Sequence, residues 1–176
     1  YKGDFAFYNS DTENNWQNHQ GILALDYRAP GGLILGVNDT YTRAEDPYGN
    51  AYQYGIGSVK KRSTNTLGTK IGYHVAQNFR FLLLYNNFYQ KYDNDQLDYS
   101  QDYYLNEYGV SLETRILPKT WGFVRYIYGQ QTYSQNAPGL TGEFNSDSKR
   151  NQAQMGLSWD PGAKLSGEVN VGYEWK

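Results

Sequence analysis

Leu165-Ser166-Gly167-Glu168-Val169-Asn170-Val171-Gly172-Tyr173-Glu174-Trp175 alternates apolar and polar residues almost without error. An extended strand throws successive side chains to opposite sides. Leu165, Val169, Val171, Tyr173 and Trp175 therefore share one face, and Ser166, Glu168, Asn170, Gly172 and Glu174 share the other. A segment of this kind divides a greasy environment from a wet one. The same alternation recurs in about eight other segments, which predicts an all-β chain with roughly nine strands.

Several strands read cleanly. Leu23, Leu25 and Tyr27 oppose Asp26 and Arg28; Leu67, Ile71, Tyr73 and Val75 oppose Gly68, Lys70, Gly72 and His74. Tyr108, Val110, Leu112 and Ile116 oppose Glu107, Gly109, Ser111, Glu113 and Arg115, while Ala153, Met155, Leu157 and Trp159 oppose Gln152, Gln154, Gly156 and Ser158. Phe5 and Phe7 oppose Asp4 and Ala6 in the first segment. Three segments break the pattern. Asp39 follows Leu33, Leu35 and Val37 on the apolar side, so either a bulge shifts the register or Asp39 stands above the lipid. Leu82 and Leu84 fall on the polar side, as do Phe123 and Ile127 beside Arg125, where they would line a constriction or meet an interior plug.

Four short turn sequences separate these segments: 29–32, 76–78, 118–120 and 160–164, rich in Pro, Gly and Asn. Longer polar stretches lie between them, at 11–18, 43–62, 90–102 and 133–149. Short turns at one end and long loops at the other are the pattern of outer-membrane barrels, with the short turns periplasmic. The expected architecture is an antiparallel up-and-down transmembrane β-barrel occupying residues 1–176 as a single unit. Because bacterial single-chain barrels have even strand numbers, about nine strands imply a segment of a larger barrel, incomplete at one or both ends.

Composition supports the same reading. Aromatic residues make up 17% of the chain, mostly tyrosine, against a mean hydropathy of -0.81. A thin apolar shell around a polar interior, with tyrosines where lipid meets water, has this balance. The chain has no cysteine, which excludes disulfides and thiolate metal sites. A net charge of -2 without a basic tail gives no electrostatic case for nucleic acid. No apolar run approaches the roughly 20 residues of a membrane helix, since even Phe79 to Tyr85 is interrupted by Arg80.

The polar face would line a lumen through Arg28, Lys70, Arg80, Glu107, Glu113, Arg115, Arg125, Glu168 and Glu174, joined by Asp26. Charges of both signs in a dry core cost several kcal/mol each unless paired, and a water-filled lumen removes that cost. Leu23, Leu25, Leu67, Ile71, Val110, Leu112, Met155, Leu157, Val169 and Val171 would face lipid. The alternative is a soluble or surface-attached β-sandwich whose apolar faces pack on each other and whose exposed tyrosines bind carbohydrate.

The stretch from Ile116-Leu117-Pro118-Lys119 to Val124-Arg125-Tyr126-Ile127-Tyr128 resembles the β-barrel porins of bacterial outer membranes, in the second group of that family. Gly156-Leu157-Ser158-Trp159, Lys164-Leu165-Ser166-Gly167, Val171-Gly172-Tyr173-Glu174 and Asn38-Asp39-Thr40-Tyr41-Thr42-Arg43 are similar to the same family. The resemblance implies an outer-membrane, Gram-negative channel, with some members associated with exopolysaccharide export. Members of the family are longer than this chain. The expected partners are outer-membrane lipid and lipopolysaccharide, together with further barrel segments, a plug or a periplasmic protein.

No catalytic constellation emerges. His19 is expected in a loop and His74 beside a short turn, neither with a nucleophile at a telling spacing. Asp93, Asp95, Asp98 and Asp102 lack the glycine and closing glutamate of a calcium loop, so no metal or cofactor is expected. Lys60-Lys61-Arg62 would touch lipopolysaccharide phosphates only if it stands above the lipid. Tyr99 to Tyr104 and Trp16 read as part of an interfacial aromatic girdle, or as stacking surfaces for sugars at a pore mouth.

Overall fold

The computed structural model describes residues 1–10, 12, 15–46, 60–93, 102–134, 147–159 and 167–176. Among them nine strands form one sheet: β1 (Lys2–Ala6), β2 (Trp16–Arg28), β3 (Leu33–Asp46), β4 (Lys60–Ala76), β5 (Phe79–Tyr92), β6 (Tyr103–Leu117), β7 (Thr120–Tyr133), β8 (Ser148–Trp159) and β9 (Gly167–Trp175). Each pairs antiparallel with the next in sequence, so the order is β1 to β9 without a crossover. β1 and β9 are the two edges, and the sheet is not closed. No second sheet exists among the described residues, so the two facing layers of a sandwich are absent from them.

Three of the short turns are seen. Gly32 ends the first with φ of 92°, a left-handed conformation that costs glycine nothing, and its carbonyl accepts the amide of His74 at 2.9 Å. Gln77-Asn78 joins β4 to β5, and Pro118-Lys119 joins β6 to β7. The turn at 160–164 and the side chain of Leu165 lie outside the described residues. The opposite ends differ from expectation. β3 runs to Asp46 and β4 begins at Lys60, so both ends of the polar stretch 43–62 are ladder rather than loop, and β2 begins at Trp16, which puts His19 in the ladder rather than in a loop. These extensions are polar on both faces, which erases the alternation that would have marked them. Lys61 and Arg62 consequently point to opposite faces of β4 and form no single basic patch.

Register places each alternating segment on a common two-sided surface. One row on the apolar face runs Tyr27, Leu35, Ile71, Leu83, Val110, Tyr126, Ala153 and Tyr173, from β2 to β9. The neighbouring row runs Leu33, Tyr73, Phe81, Leu112, Val124, Met155 and Val171. Asp39 keeps its place on this face, because pairing with Leu23 and Leu67 continues through it without a bulge. Its row turns polar across the sheet with Asn87, Asn106, Gln130 and Lys149, and Asn65 donates to its carboxylate at 2.9 Å. One step further toward the long loops stand Tyr41, Tyr89 and Tyr104, the last two stacked at 4.8 Å.

The two faces are buried unequally. Val171 is 69% exposed, and its apolar-face neighbours Val124, Met155 and Val169 are similarly open. On the polar face Trp121 and Ser111 are 0% exposed. A single sheet buries one face only by curling toward it, so the polar face is the concave one. Glycine placement agrees. Gly36, Gly68, Gly72, Gly109, Gly129, Gly156 and Gly172 all occupy the concave face, where crowding is greatest.

Candidate functional site

The concave face collects the charged residues singled out from sequence. Arg28, Lys70, Arg80, Glu107, Glu113, Arg115, Arg125, Glu168 and Glu174 all fall there by register. Leu23, Leu25, Leu67, Ile71, Val110, Leu112, Met155, Leu157, Val169 and Val171 all fall on the convex apolar face.

Two of the ion pairs share one device. Asp26, Gly36 and Lys70 are direct partners in one row across β2, β3 and β4. A Cβ at Gly36 would lie 2.7 Å from Cγ of Lys70. The missing side chain lets the lysine stem lie flat over β3 and reach Asp26 at 2.7 Å. Glu107, Gly129 and Arg150 repeat this across β6, β7 and β8, with Arg150 donating to Glu107 at 2.6 Å. A Cβ at Gly129 would meet Cγ of Arg150 at 2.9 Å. Strands two apart are about 9.6 Å apart, so only a long side chain lying along the wall can span the gap.

Arg125 and Glu168 also join strands two apart, β7 and β9, through two parallel hydrogen bonds of 3.0 Å each. This fork geometry is the strong form of a guanidinium–carboxylate contact. Asn170 holds the same carboxylate at 3.0 Å. These pairs are part-exposed, so each contributes little to stability alone, about 0–1 kcal/mol. Together they fix which charge stands where on the concave wall.

Toward the short turns the surface changes character. Arg80 donates to Oε2 of Glu113 from Nε and from a terminal nitrogen, both at 2.7 Å. The Ser111 hydroxyl donates to the other carboxylate oxygen at 3.1 Å. Arg80 and Glu113 are only 7% and 2% exposed. Trp121 closes over this pair, with the Arg80 guanidinium 4.0 Å and the Arg115 guanidinium 4.8 Å from its ring centroid. His74 meets the ring edge-on at 5.5 Å. Leu82 and Phe123, two of the four apolar residues that interrupted the polar alternation, are buried on the same face together with Ile34, while Leu84 and Ile127 are half-buried. Here the pair is held dry by packing.

At the long-loop end the convex face carries Arg43 with Asp93, which share two hydrogen bonds, and Lys61 with Glu45 at 2.9 Å. The hydrogen bonds from Arg43 hold the Asp93 carboxyl below the usual carboxylate range. Asp102 is buried and accepts the Tyr92 amide at 2.7 Å; Asp95 and Asp98 lie outside the described residues. Among the described residues no group of His, Asp or Glu has the arrangement of a metal site. On the concave side the Tyr103 ring lies tilted against Phe88 and Tyr133, with centroids 5.4 and 5.5 Å away.

Sequence reasoning did not single out Trp121 or Arg150. Arg150 shares parity with Gln152 and Gln154, so running that alternation back two residues finds it. Trp121 shares parity with Phe123 and Arg125 but stands next to a turn, where it reads as an interfacial aromatic.

The chain matches no family profile, no curated protein and no solved structure. Its class therefore rests on the fold: an all-β, up-and-down antiparallel sheet with one apolar and one charged face.

Proposed function

We propose that this sheet is wall of an outer-membrane β-barrel, a porin-like channel whose mixed-charge concave face lines the passage for small polar solutes. The supporting observation is the pairing of an uncovered apolar convex face with an ion-paired concave one. One apolar row runs from Tyr27 on β2 to Tyr173 on β9 and a second from Leu33 on β3 to Val171 on β9, and no described element covers them. Such a surface would be an aggregation hazard in water and is the ordinary exterior of a barrel in lipid. On β6 the apolar positions from Tyr108 to Ile116 extend about 27 Å along the strand. At a tilt of about 40° that gives roughly 20 Å of height, near the ~25 Å band of known barrels. The tyrosine row at Tyr41, Tyr89 and Tyr104 then falls at the interface. An all-antiparallel closed wall has an even number of strands, so the nine described strands form part of one.

Single cysteines test the reading cleanly, because the chain has none of its own. Val171→Cys and Asn170→Cys, neighbours on opposite faces of β9 and both exposed, would each be labelled with a polarity-sensitive fluorophore after reconstitution in phospholipid vesicles. The label at 171 should be quenched by lipid-borne quenchers and the label at 170 should not. A chain that stays soluble and monomeric without detergent, or equal quenching at both positions, refutes the proposal.

A further inference from the structure

We propose that Arg115 and the cleft beside it form a binding site for a small oxyanion, a carboxylate or a phosphate, at the short-turn end of the concave face. The site needs no closed wall. Among the described residues, the register rows nearest the short turns carry Arg28, Arg80, Arg115 and Arg125 against Glu113 and Glu168. Glu113 is taken up by Arg80 and Ser111, and Glu168 by Arg125. Arg115 is exposed, and no ion pair among the described residues includes it.

Packing fixes where this cation stands. Its guanidinium lies 4.8 Å from the centroid of the Trp121 ring, its direct partner across β6 and β7. That ring is wholly buried, held between Arg115, Arg80 at 4.0 Å and the edge-on His74, so it serves as a fixed floor. An arginine over a ring face commits its charge to the contact but keeps N–H donors for a second partner, and their fork matches carboxylate and phosphate oxygens. Beside Arg115 the wall is hollowed. A cleft of about 710 Å³ lies between Arg115, His74, Gln77 and the 29–32 turn. Ala29, Gly31, Gly32 and Ala76 leave it room, and none of the described residues lining it is acidic. The Gln77 side-chain amide adds a neutral donor. An oxyanion here meets an anchored cation without displacing a carboxylate, and the partial exclusion of water inside the cleft strengthens the attraction.

Titration calorimetry of the folded chain in uncharged maltoside micelles tests the site, with sodium phosphate and sodium acetate as separate probes. The unaltered chain should bind at least one of them saturably, a single ion per chain. Arg115→Met keeps an apolar stem over Trp121 and removes the charge, so it should weaken binding about tenfold or more. Arg115→Lys keeps the charge without the fork and should fall between. Lys91→Met removes an exposed cation at the opposite end of the sheet and should bind like the unaltered chain. If Arg115→Met fails to fold, Arg115→Lys decides. Absence of saturable binding of both probes, or equal weakening in the Arg115 and Lys91 variants, overturns the site. Displacement of bound phosphate by a short-chain phosphatidylglycerol would make a lipid headgroup the source of the oxyanion, and no displacement would make it a free solute; both results leave the site in place. A chain that folds without detergent is titrated in buffer alone, so failure of the barrel reading leaves this test intact.

Discussion

Replacing Glu113 by Ala asks whether the charge pair beneath Trp121 is wet or dry. Both carboxylate oxygens are engaged: one by two nitrogens of Arg80 at 2.7 Å, the other by Ser111 at 3.1 Å. The side chains of Arg80 and Glu113 are 9% and 3% exposed. Removing one partner of a buried pair strands the other charge, at a cost of about 3–5 kcal/mol. The Trp121 ring over Arg80 offsets part of that, about 0.5–2 kcal/mol. The expected net loss is therefore about 1–4.5 kcal/mol. The double variant Arg80→Met, Glu113→Leu removes both charges and fills the space, so it should come within about 1 kcal/mol of the unaltered chain or exceed it. Urea titration in detergent micelles, followed by tryptophan fluorescence and circular dichroism, measures all three. A loss below about 1 kcal/mol for Glu113→Ala would mean that water solvates the pair as it does a surface salt bridge. The dry cluster beneath Trp121 would then be wrong.

Two further pairs of substitutions probe the faces and the glycine device. Val171→Arg should cost about 2–4 kcal/mol of membrane assembly if it lies near mid-bilayer, whereas Asn170→Arg, one residue away on the concave side, should be mild. Comparing the folded fractions on unboiled gels after vesicle refolding gives the answer, and equal losses would refute the face assignment. Gly129→Val would push a side chain into the path of Arg150 and should cost about 1–3 kcal/mol through overpacking. The analogous change at Gly122 on the convex face meets Ile116 first, at 2.5 Å from its Cδ1, but Ile116 is 57% exposed and can swing outward, so the change should cost less, again by urea titration.

Much of the fold was legible before any coordinates. A two-residue period leaves one choice of face per residue, so the assignment of Val171 or Glu113 followed from parity alone. Hairpin turns with Pro, Gly and Asn then made neighbours in sequence neighbours in space. Strand ends were less visible. Arg43 to Asp46 and Lys60 to Thr66 are polar on both sides, and a ladder held by backbone hydrogen bonds and pairs such as Lys61–Glu45 needs no apolar stripe to continue. The apparent errors of pattern proved informative as well. Leu82 and Phe123 sit on the charged face buried beside the Arg80–Glu113 pair, and Asp39 stays on the apolar face between Leu23 and Leu67 in a row that turns polar from β5 onward.

Composition and alternation by themselves determined that this chain makes antiparallel strands with one greasy and one charged side, since both are properties of single residues and their immediate neighbours. Register and curl belonged to the tertiary structure. Whether Lys70 reaches Asp26 depends on a glycine 34 positions earlier in the chain standing opposite it, and whether Trp121 is buried depends on Arg80, Arg115 and His74 converging from other strands. Those contacts join residues far apart in sequence, and only the bending of the whole sheet decides which of them can meet.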